Sequence, residues 1–323
     1  MYNEIKKRVD ATDPKSENEI RRFLALESRK GETMKHARSS KTKQILRGLV
    51  LVLFAGLFGL YVYLRSAEVL DPSRIDWLIG TLIAHRGVHD NENGTPENTL
   101  AAFNAAMDRG LIIELDVQST KDNQIVVVHD DDLERLLGLA GKVKEYTYEE
   151  IKQRNILDSD QAIPLLSDVL DLIDGKVPVL IEIKNDQEVG EFESRVAQIL
   201  TDYEGRFAVI AFNPYTLRWF RDNEPEIVRG QISGHYTVSE EDKLKGKKPR
   251  VWYERFMLSN LLVNFESRPN FIVYEIKDTS LARIRWFKEL NVPLLGYTID
   301  NQEEFDQAKG YYDNLIVNTV DLK

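Results

Sequence analysis

Cysteine is absent from the 323 residues, so a disulfide framework, a thiolate metal site and a cysteine nucleophile are all excluded. Any metal must therefore sit on oxygen or imidazole. Positive charge is also in short supply: 43 Lys and Arg face 53 Asp and Glu, for a formal net charge of −10 and a pI near 5.2. Broad nucleic-acid binding needs a basic face and is disfavoured. The deficit is uneven, because residues 1–47 hold 13 Lys/Arg against 7 Asp/Glu whereas residues 65–323 hold 30 against 46. A basic head thus precedes an acidic body, and the two face different surroundings. No internal repeat is present, and histidine occurs only five times.

One segment has no charge at all. Gly48 to Leu64 is 17 consecutive uncharged residues without a polar stripe, at the short end of what spans a bilayer as a helix. The 47 residues ahead of it, and the lack of an A-x-A-like site after it, argue against a cleaved signal peptide. Lys35, Arg38, Lys41, Lys43 and Arg47 crowd its N-terminal flank, while charges on the other side nearly cancel, so the positive-inside rule places the N-terminus in the cytoplasm and the large domain outside. The expected division is a basic cytoplasmic head over 1–47, a transmembrane helix over 48–64, a linker over 65–77 and a large domain over 78–323. Within the head, Ser16-x-x-Glu19 predicts the start of one short helix, with the remainder flexible.

Beyond Trp77, short β-branched runs alternate with amphipathic stretches, the pattern of an α/β fold. Nine strands are predicted, at Leu82–His85, Ile112–Val117, Ile125–His129, Val179–Lys184, Ala208–Phe212, Val228–Ile232, Phe271–Ile276, Leu294–Thr298 and Leu315–Asn318. The domain has the size of one (β/α)₈ barrel, so one strand is not a stave. Ile125–His129 is the candidate, since Ser119–Gln124 is too short for a crossover helix; a hairpin-like excursion and a distorted parallel pair are both open. Glu240–Arg250 reads as a solvated loop, and Val251–Phe265 as one helix with a wide apolar face.

The chemistry concentrates at strand ends. Glu114 and Asp116 lie two apart in IIELDV and share one face of a strand, as do Glu182 and Lys184 in VLIEIK. Carboxylates gathered in apolar strands repel unless a cation compensates them, and three from two strands suit a hard divalent ion, Mg²⁺ or Ca²⁺, better than zinc. His85 in LIAHRG and His129 in VVVHDD supply groups able to transfer protons near neutral pH. Arg86 offers a forked donor for phosphate oxygens and Lys184 a compact second charge.

AHRG at 84–87, PENT at 96–99, ELD at 114–116, HD at 129–130 and EIK at 182–184, in this order and spacing, closely resemble the glycerophosphodiester phosphodiesterase family. The resemblance implies a TIM-type barrel and metal-dependent hydrolysis of glycerophosphodiesters to an alcohol and glycerol phosphate. It also implies His85 and His129 as the acid/base pair, Glu114, Asp116 and Glu182 as metal ligands, and Arg86, Lys184 and Glu97 at the phosphate. The implied partners are a small or lipid-derived phosphodiester and, through the N-terminal helix, the membrane. Two departures stand out: Ala211 where the family commonly has serine, and Tyr297-Thr298-Ile299-Asp300 with Asn318-Thr319-Val320 where tryptophan- and aspartate-containing runs are usual. They bear on substrate choice rather than on the chemistry. Competing readings are a catalytically inactive anchored binder of such diesters and a related lyase acting on lysophospholipid.

Cysteine introduced at Ser73 is expected to react with an impermeant thiol reagent on intact cells, and cysteine at Ser39 is not; the opposite labelling would reverse the topology.

Overall fold

The computed structural model describes residues 14–185, 188–238, 248–277 and 281–318. The chain divides into two units, Met1–Val62 and Tyr63–Lys323.

Among the described residues the first unit consists of one helix, α1 (Pro14–Leu64), of 51 residues, whose last two belong to the second unit. The expected short helix with a flexible remainder is therefore wrong: from Pro14 onward the head is continuously helical. The physical reason lies in its composition. No proline and only one glycine, Gly31, interrupt residues 15–47, which are rich in Ala, Leu, Glu, Lys and Arg. Its apolar stretch is fully exposed, and it is long and apolar enough to cross a membrane.

The second unit is a closed barrel of eight parallel strands. Among the described residues the strands are β1 (Ile83–Ala84), β2 (Ile112–Ser119), β3 (Ile125–Val127), β4 (Val179–Ile183), β5 (Phe207–Ala211), β6 (Arg229–Ser233), β7 (Phe271–Glu275), β8 (Leu294–Ile299) and β9 (Asn314–Val317). Parallel neighbours run from β2 through β4 to β9, and β1 closes the ring by pairing with both β9 and β2. The longer helices on the outside are α2 (Leu100–Asp108), α3 (Leu166–Ile173), α4 (Glu191–Thr201), α5 (Pro214–Asn223), α6 (Trp252–Ser259), α7 (Leu281–Glu289) and α8 (Gln302–Ala308). All nine predicted strands form. The doubtful one, β3, pairs antiparallel with β2, so the excursion is a hairpin. After it, a long connection folds over its own apolar cluster, with Val126, Val128, Leu133, Leu136 and Ile151 at its heart, before α3 resumes the barrel.

Strand alternation sorts the barrel into two apolar layers. Ile83, Ile112, Leu180, Ala208, Ile210, Phe271, Val273, Leu295 and Ile316 pack together in one cluster that fills the interior. Their neighbours Ala84, Ile113, Leu115, Ile181 and Val209 pack in another, between strands and helices. Gly230 belongs to this design, because a Cβ there would lie 2.3 Å from the Phe271 ring.

The segment 65–77, expected as a linker, is instead packed into the barrel unit. Arg65 is buried and bonds the Arg283 carbonyl, Glu68 pairs with buried Arg229, and Ile75 and Leu78 join the interior cluster. Val251–Phe265 also departs from expectation. It is helical only to Ser259, turns at Leu261 with φ 57°, and resumes as a short helix over Asn264–Ser267. Tyr274 Oη donates to the Ser259 carbonyl where the first helix stops. The loop read at Glu240–Arg250 lies largely outside the described residues.

Candidate functional site

The same period of two that builds the core builds the site. On β2, Ile112 points inward, so Glu114 and Asp116 do as well; on β4, Leu180 is followed inward by Glu182. The register sets Glu114 beside Leu180 and Asp116 beside Glu182. Apolar inward layers thus give way to acidic ones toward the C-terminal ends of the strands, the face where barrel sites form. Oxygens of Glu114, Asp116 and Glu182 all lie within 4.8 Å of one another. Asp116 is 0% and Glu114 2% exposed.

Such crowding has an electrostatic cost. Burial, then the Asp116 and Glu182 charges, push the Glu114 carboxyl well above its ordinary range. Glu182 is raised by burial and by Asp116, against the opposing pull of Lys184. For Asp116, burial acts upward as well, but His129, Lys184 and Arg86 outweigh it and keep this carboxyl deprotonated. Its Oδ1 has no hydrogen-bond partner, an unusual condition for a fully buried carboxylate oxygen. Three converging carboxylates with one such oxygen fit a hard divalent cation.

The cationic groups ring this cluster. Arg86 donates its backbone N–H to Glu114 at 3.0 Å, with its Nε 3.5 Å from Asp116. Lys184 Nζ lies 3.6 Å from Asp116 and 3.4 Å from Glu182. Arg86 adopts φ 57°, and the next residue, Gly87, has φ 80° and a Cβ position only 2.8 Å from the Ala102 backbone. The turn therefore requires glycine there, and it folds the strand end down onto α2.

His85 extends the inward series of β1, with Nε2 4.0 Å from Glu114. Its Nδ1 meets Asn318 Oδ1 at 2.6 Å, and Asn318 Nδ2 donates to Asp300 at 2.6 Å. Burial, then Arg86, lower the imidazole to about 4, so it is held neutral. His129 arrives differently. Because β3 runs antiparallel, the chain descends beside β2, where the Val128 N–H bonds the Asp116 carbonyl at 2.9 Å. His129 therefore reaches the cluster from the hairpin rather than from the end of a barrel stave. Gln118, on the inward face two residues past Asp116, donates to the Val128, His129 and Asp130 carbonyls and pins that turn.

Glu97 is in the site, but its carboxylate faces cations of the protein. It accepts from Arg86 at 2.7 Å and takes both prongs of Arg135 at 2.8 and 2.9 Å. Although burial opposes it, these partners hold its carboxyl down at about 2. Arg135 also bonds Asp130 at 2.5 Å, and Asp130 bonds His129 Nδ1 at 2.8 Å. A continuous chain of bonded groups, His129–Asp130–Arg135–Glu97–Arg86, thus joins one imidazole to the arginine. Asn98, at φ 57°, adds a bond to Asp116 at 2.9 Å. The residues proposed from sequence all converge here. Those missed were Asn98, Gln118, Arg135, Asp300 and the supporting roles of Asp130 and Asn318. Gln118 was discoverable from the two-residue period, whereas Arg135 carried no signal.

A family model described as the glycerophosphoryl diester phosphodiesterase family matches residues 85–322. The chain belongs to that family. YhdW of Bacillus subtilis is 32% identical over 237 residues, covering 69% of this chain and 87% of that one. The glycerophosphodiester phosphodiesterase of Caldanaerobacter subterraneus is 39% identical over 165 residues, but the match spans only 65% of its length and 47% of this chain. Among solved structures, an Oleispira antarctica phosphodiesterase in complex with the product sn-glycerol-3-phosphate superposes with TM-score 0.60 at 20% identity, covering 75% of this chain and 94% of that one. A glycerophosphodiester phosphodiesterase from Thermotoga maritima gives TM-score 0.55 at 24% identity, covering 74% and 95%. At those identities the structures establish the shared barrel.

If Asp130 positions His129, Asp130→Asn should lower kcat on glycerophosphocholine by about 10- to 100-fold, the usual cost of losing an orienting partner behind a site residue. KM and melting temperature should change little. Wild-type kcat would remove Asp130 from the site.

Proposed function

We propose that this chain hydrolyses a phosphodiester of glycerol to an alcohol and glycerol phosphate, using a divalent cation, Mg²⁺ or Ca²⁺. The observation that carries the reading is the meeting of Glu114, Asp116 and Glu182 with Arg86, Lys184 and two histidines at one barrel mouth. The glycerol-3-phosphate product bound by the Oleispira relative supports the substrate class on the same fold.

Glu114, Asp116 and Glu182 would hold the cation, which when bound supplies positive charge to the phosphate as negative charge grows there. Arg86 and Lys184 share that electrostatic load and orient the phosphate oxygens. One imidazole takes the proton of the attacking hydroxyl or water, and the other gives a proton to the departing alkoxide. Neutral His85, tethered by Asn318, and His129, tethered by Asp130, are each held with one ring nitrogen left for this exchange. Glu97 holds one end of the Arg86 guanidinium while its Nε stays beside Asp116, which fixes the group at the edge of the carboxylate cluster.

In this reading α1 anchors the protein as a single-pass membrane protein with the barrel outside the cytoplasm. The support is the uncharged run Gly48–Leu64 and the basic residues on its N-terminal side. The substrate is a small or lipid-derived diester, with no role for nucleic acid.

The full chain in detergent, given glycerophosphocholine with Mg²⁺ or Ca²⁺, is expected to release choline and glycerol phosphate, and EDTA should abolish turnover. His85→Ala and His129→Ala should each lower kcat by about 10² to 10⁴. Full activity in EDTA would refute the cation, and wild-type kcat in either variant would remove that imidazole from the mechanism.

A further inference from the structure

Three large aromatic side chains on α6 stay largely exposed, with Trp252 meeting Tyr253 edge-on at 5.9 Å. Trp252 is 74% exposed, Tyr253 54% and Phe256 54%, and Val251 before them is exposed as well. The residues that follow behave differently: Met257 and Leu258 at the end of α6 are partly buried, and Leu261 and Leu262 beyond its break are buried. The aromatic residues therefore stay in solvent while the aliphatic ones pack. An exposed cluster of this kind is a recognition surface rather than a core remnant.

Its location ties it to the site. The first turn of α6 follows the connection that leaves the C-terminal end of β6, on the side of the barrel where the carboxylates lie. A line of rings leads from there toward the mouth. Arg250 stacks on Tyr236 with its Cζ 5.5 Å from the ring centre, Tyr236 meets Phe212 edge-on at 5.9 Å, and Phe212 meets Tyr297 at 6.2 Å. Phe212 and Tyr297 follow or end the inward faces of β5 and β8 and pack against the interior cluster. The mouth thus has one charged side for a phosphate and one aromatic side that continues outward to Trp252.

Three features of the chain name the occupant. Tryptophan and tyrosine with neighbouring cations, here the exposed Lys248 and Arg250, are the composition that favours a bilayer interface with anionic lipid. The uncharged run ends at Leu64, and the very next residue, Arg65, is already buried in the barrel unit, so chain connectivity keeps the barrel within a few residues' reach of any membrane that the run enters. The chain enters the barrel unit beside the element that follows α6, where Tyr63 stacks on Phe265 of the short helix Asn264–Ser267 with ring centres 5.5 Å apart.

We infer that Trp252, Tyr253 and Phe256, flanked by Lys248 and Arg250, rest on the lipid surface and form the approach by which a phosphodiester still carrying an acyl chain reaches the site. The acyl chain lies along the Tyr236–Phe212–Tyr297 side while the phosphate meets Arg86 and Lys184. The substrate half of this inference rests on the catalytic reading above; the lipid contact does not.

The test uses the full chain reconstituted into vesicles of mixed zwitterionic and anionic phospholipid. None of the four tryptophans lies in the uncharged run, so tryptophan fluorescence reports on the barrel unit. Lipids brominated near the headgroup should quench the wild type, and Trp252→Phe should remove most of that quenching. On lysophospholipid in the same vesicles, Trp252→Ser/Tyr253→Ser/Phe256→Ser should lower kcat/KM by about tenfold, equivalent to about 1.4 kcal/mol, while glycerophosphocholine turnover stays within about twofold. Equal quenching in wild type and Trp252→Phe would overturn the lipid contact, and equal loss on both substrates would overturn the acyl-chain route. A self-association in detergent that the triple variant abolishes, without lipid quenching, would assign the patch to a second copy and also overturn it. Wild type inactive on both substrates yet quenched through Trp252 would refute the catalytic reading and leave the lipid contact standing.

Discussion

Three carboxylates within 4.8 Å of one another in a barrel interior are the constraint around which the mouth is organised. At that separation two unit charges repel by about 3 kcal/mol even at an effective dielectric of about 20, and there are three pairs. The protein eases this without removing it. Arg86 and Lys184 approach the cluster, yet Glu114 and Glu182 are still driven toward their protonated forms and one Asp116 oxygen remains without a hydrogen bond. A cation among them would relieve all three conditions together. Glu97 follows from the same logic, because an Arg86 free to move would neutralise the cluster itself. Bonded to Glu97, it is shared between that carboxylate and the cluster.

The two imidazoles are fixed by different means, and each means follows from how its segment arrives. His85 sits on a barrel strand and is braced laterally from the last strand, through Asn318 and then Asp300. His129 sits on an inserted hairpin, braced by that hairpin's own residues and by β2 beside it. Its support is local: Asp130 holds the ring, Gln118 holds the turn, and Arg135 ties Asp130 to Glu97. That tie makes the inserted segment part of the barrel mouth. A movement of the connection after β3 would disturb His129 and Arg86 together, since the bonded chain between them is unbroken.

Much of this was legible in the sequence because barrel strands translate a two-residue period directly into an inward face. The dyads Glu114/Asp116 and Glu182/Lys184 needed no tertiary knowledge to be placed on one face each, and the ordered motifs tied those faces to a known family. The antiparallel sense of β3 was half visible, in the shortness of Ser119–Gln124. Arg135 was invisible, because it lies in an irregular connection and acquires its role only when the hairpin folds over Glu97. The packing of residues 65–77 was missed for a related reason: a polar, proline-containing stretch reads as linker, while its anchoring contacts, Glu68 to Arg229 and Ile75 in the interior cluster, are made with residues far away in sequence. The break in Val251–Phe265 was hidden because its apolar spacing continues through Leu261, whose positive φ no helix pattern announces. In the family-divergent stretch, Asn318 and Asp300 were read as bearing on substrate choice, and the structure places both behind His85.

The central claim is that Glu114, Asp116 and Glu182 form one divalent-cation site. Titration calorimetry of the full chain in detergent with Ca²⁺ and with Mg²⁺ tests it most directly. The account predicts one ion bound per chain, with binding lost in both Glu114→Gln and Asp116→Asn while each variant keeps its fold. Absence of binding in the wild type, or undiminished binding in either variant, would contradict it.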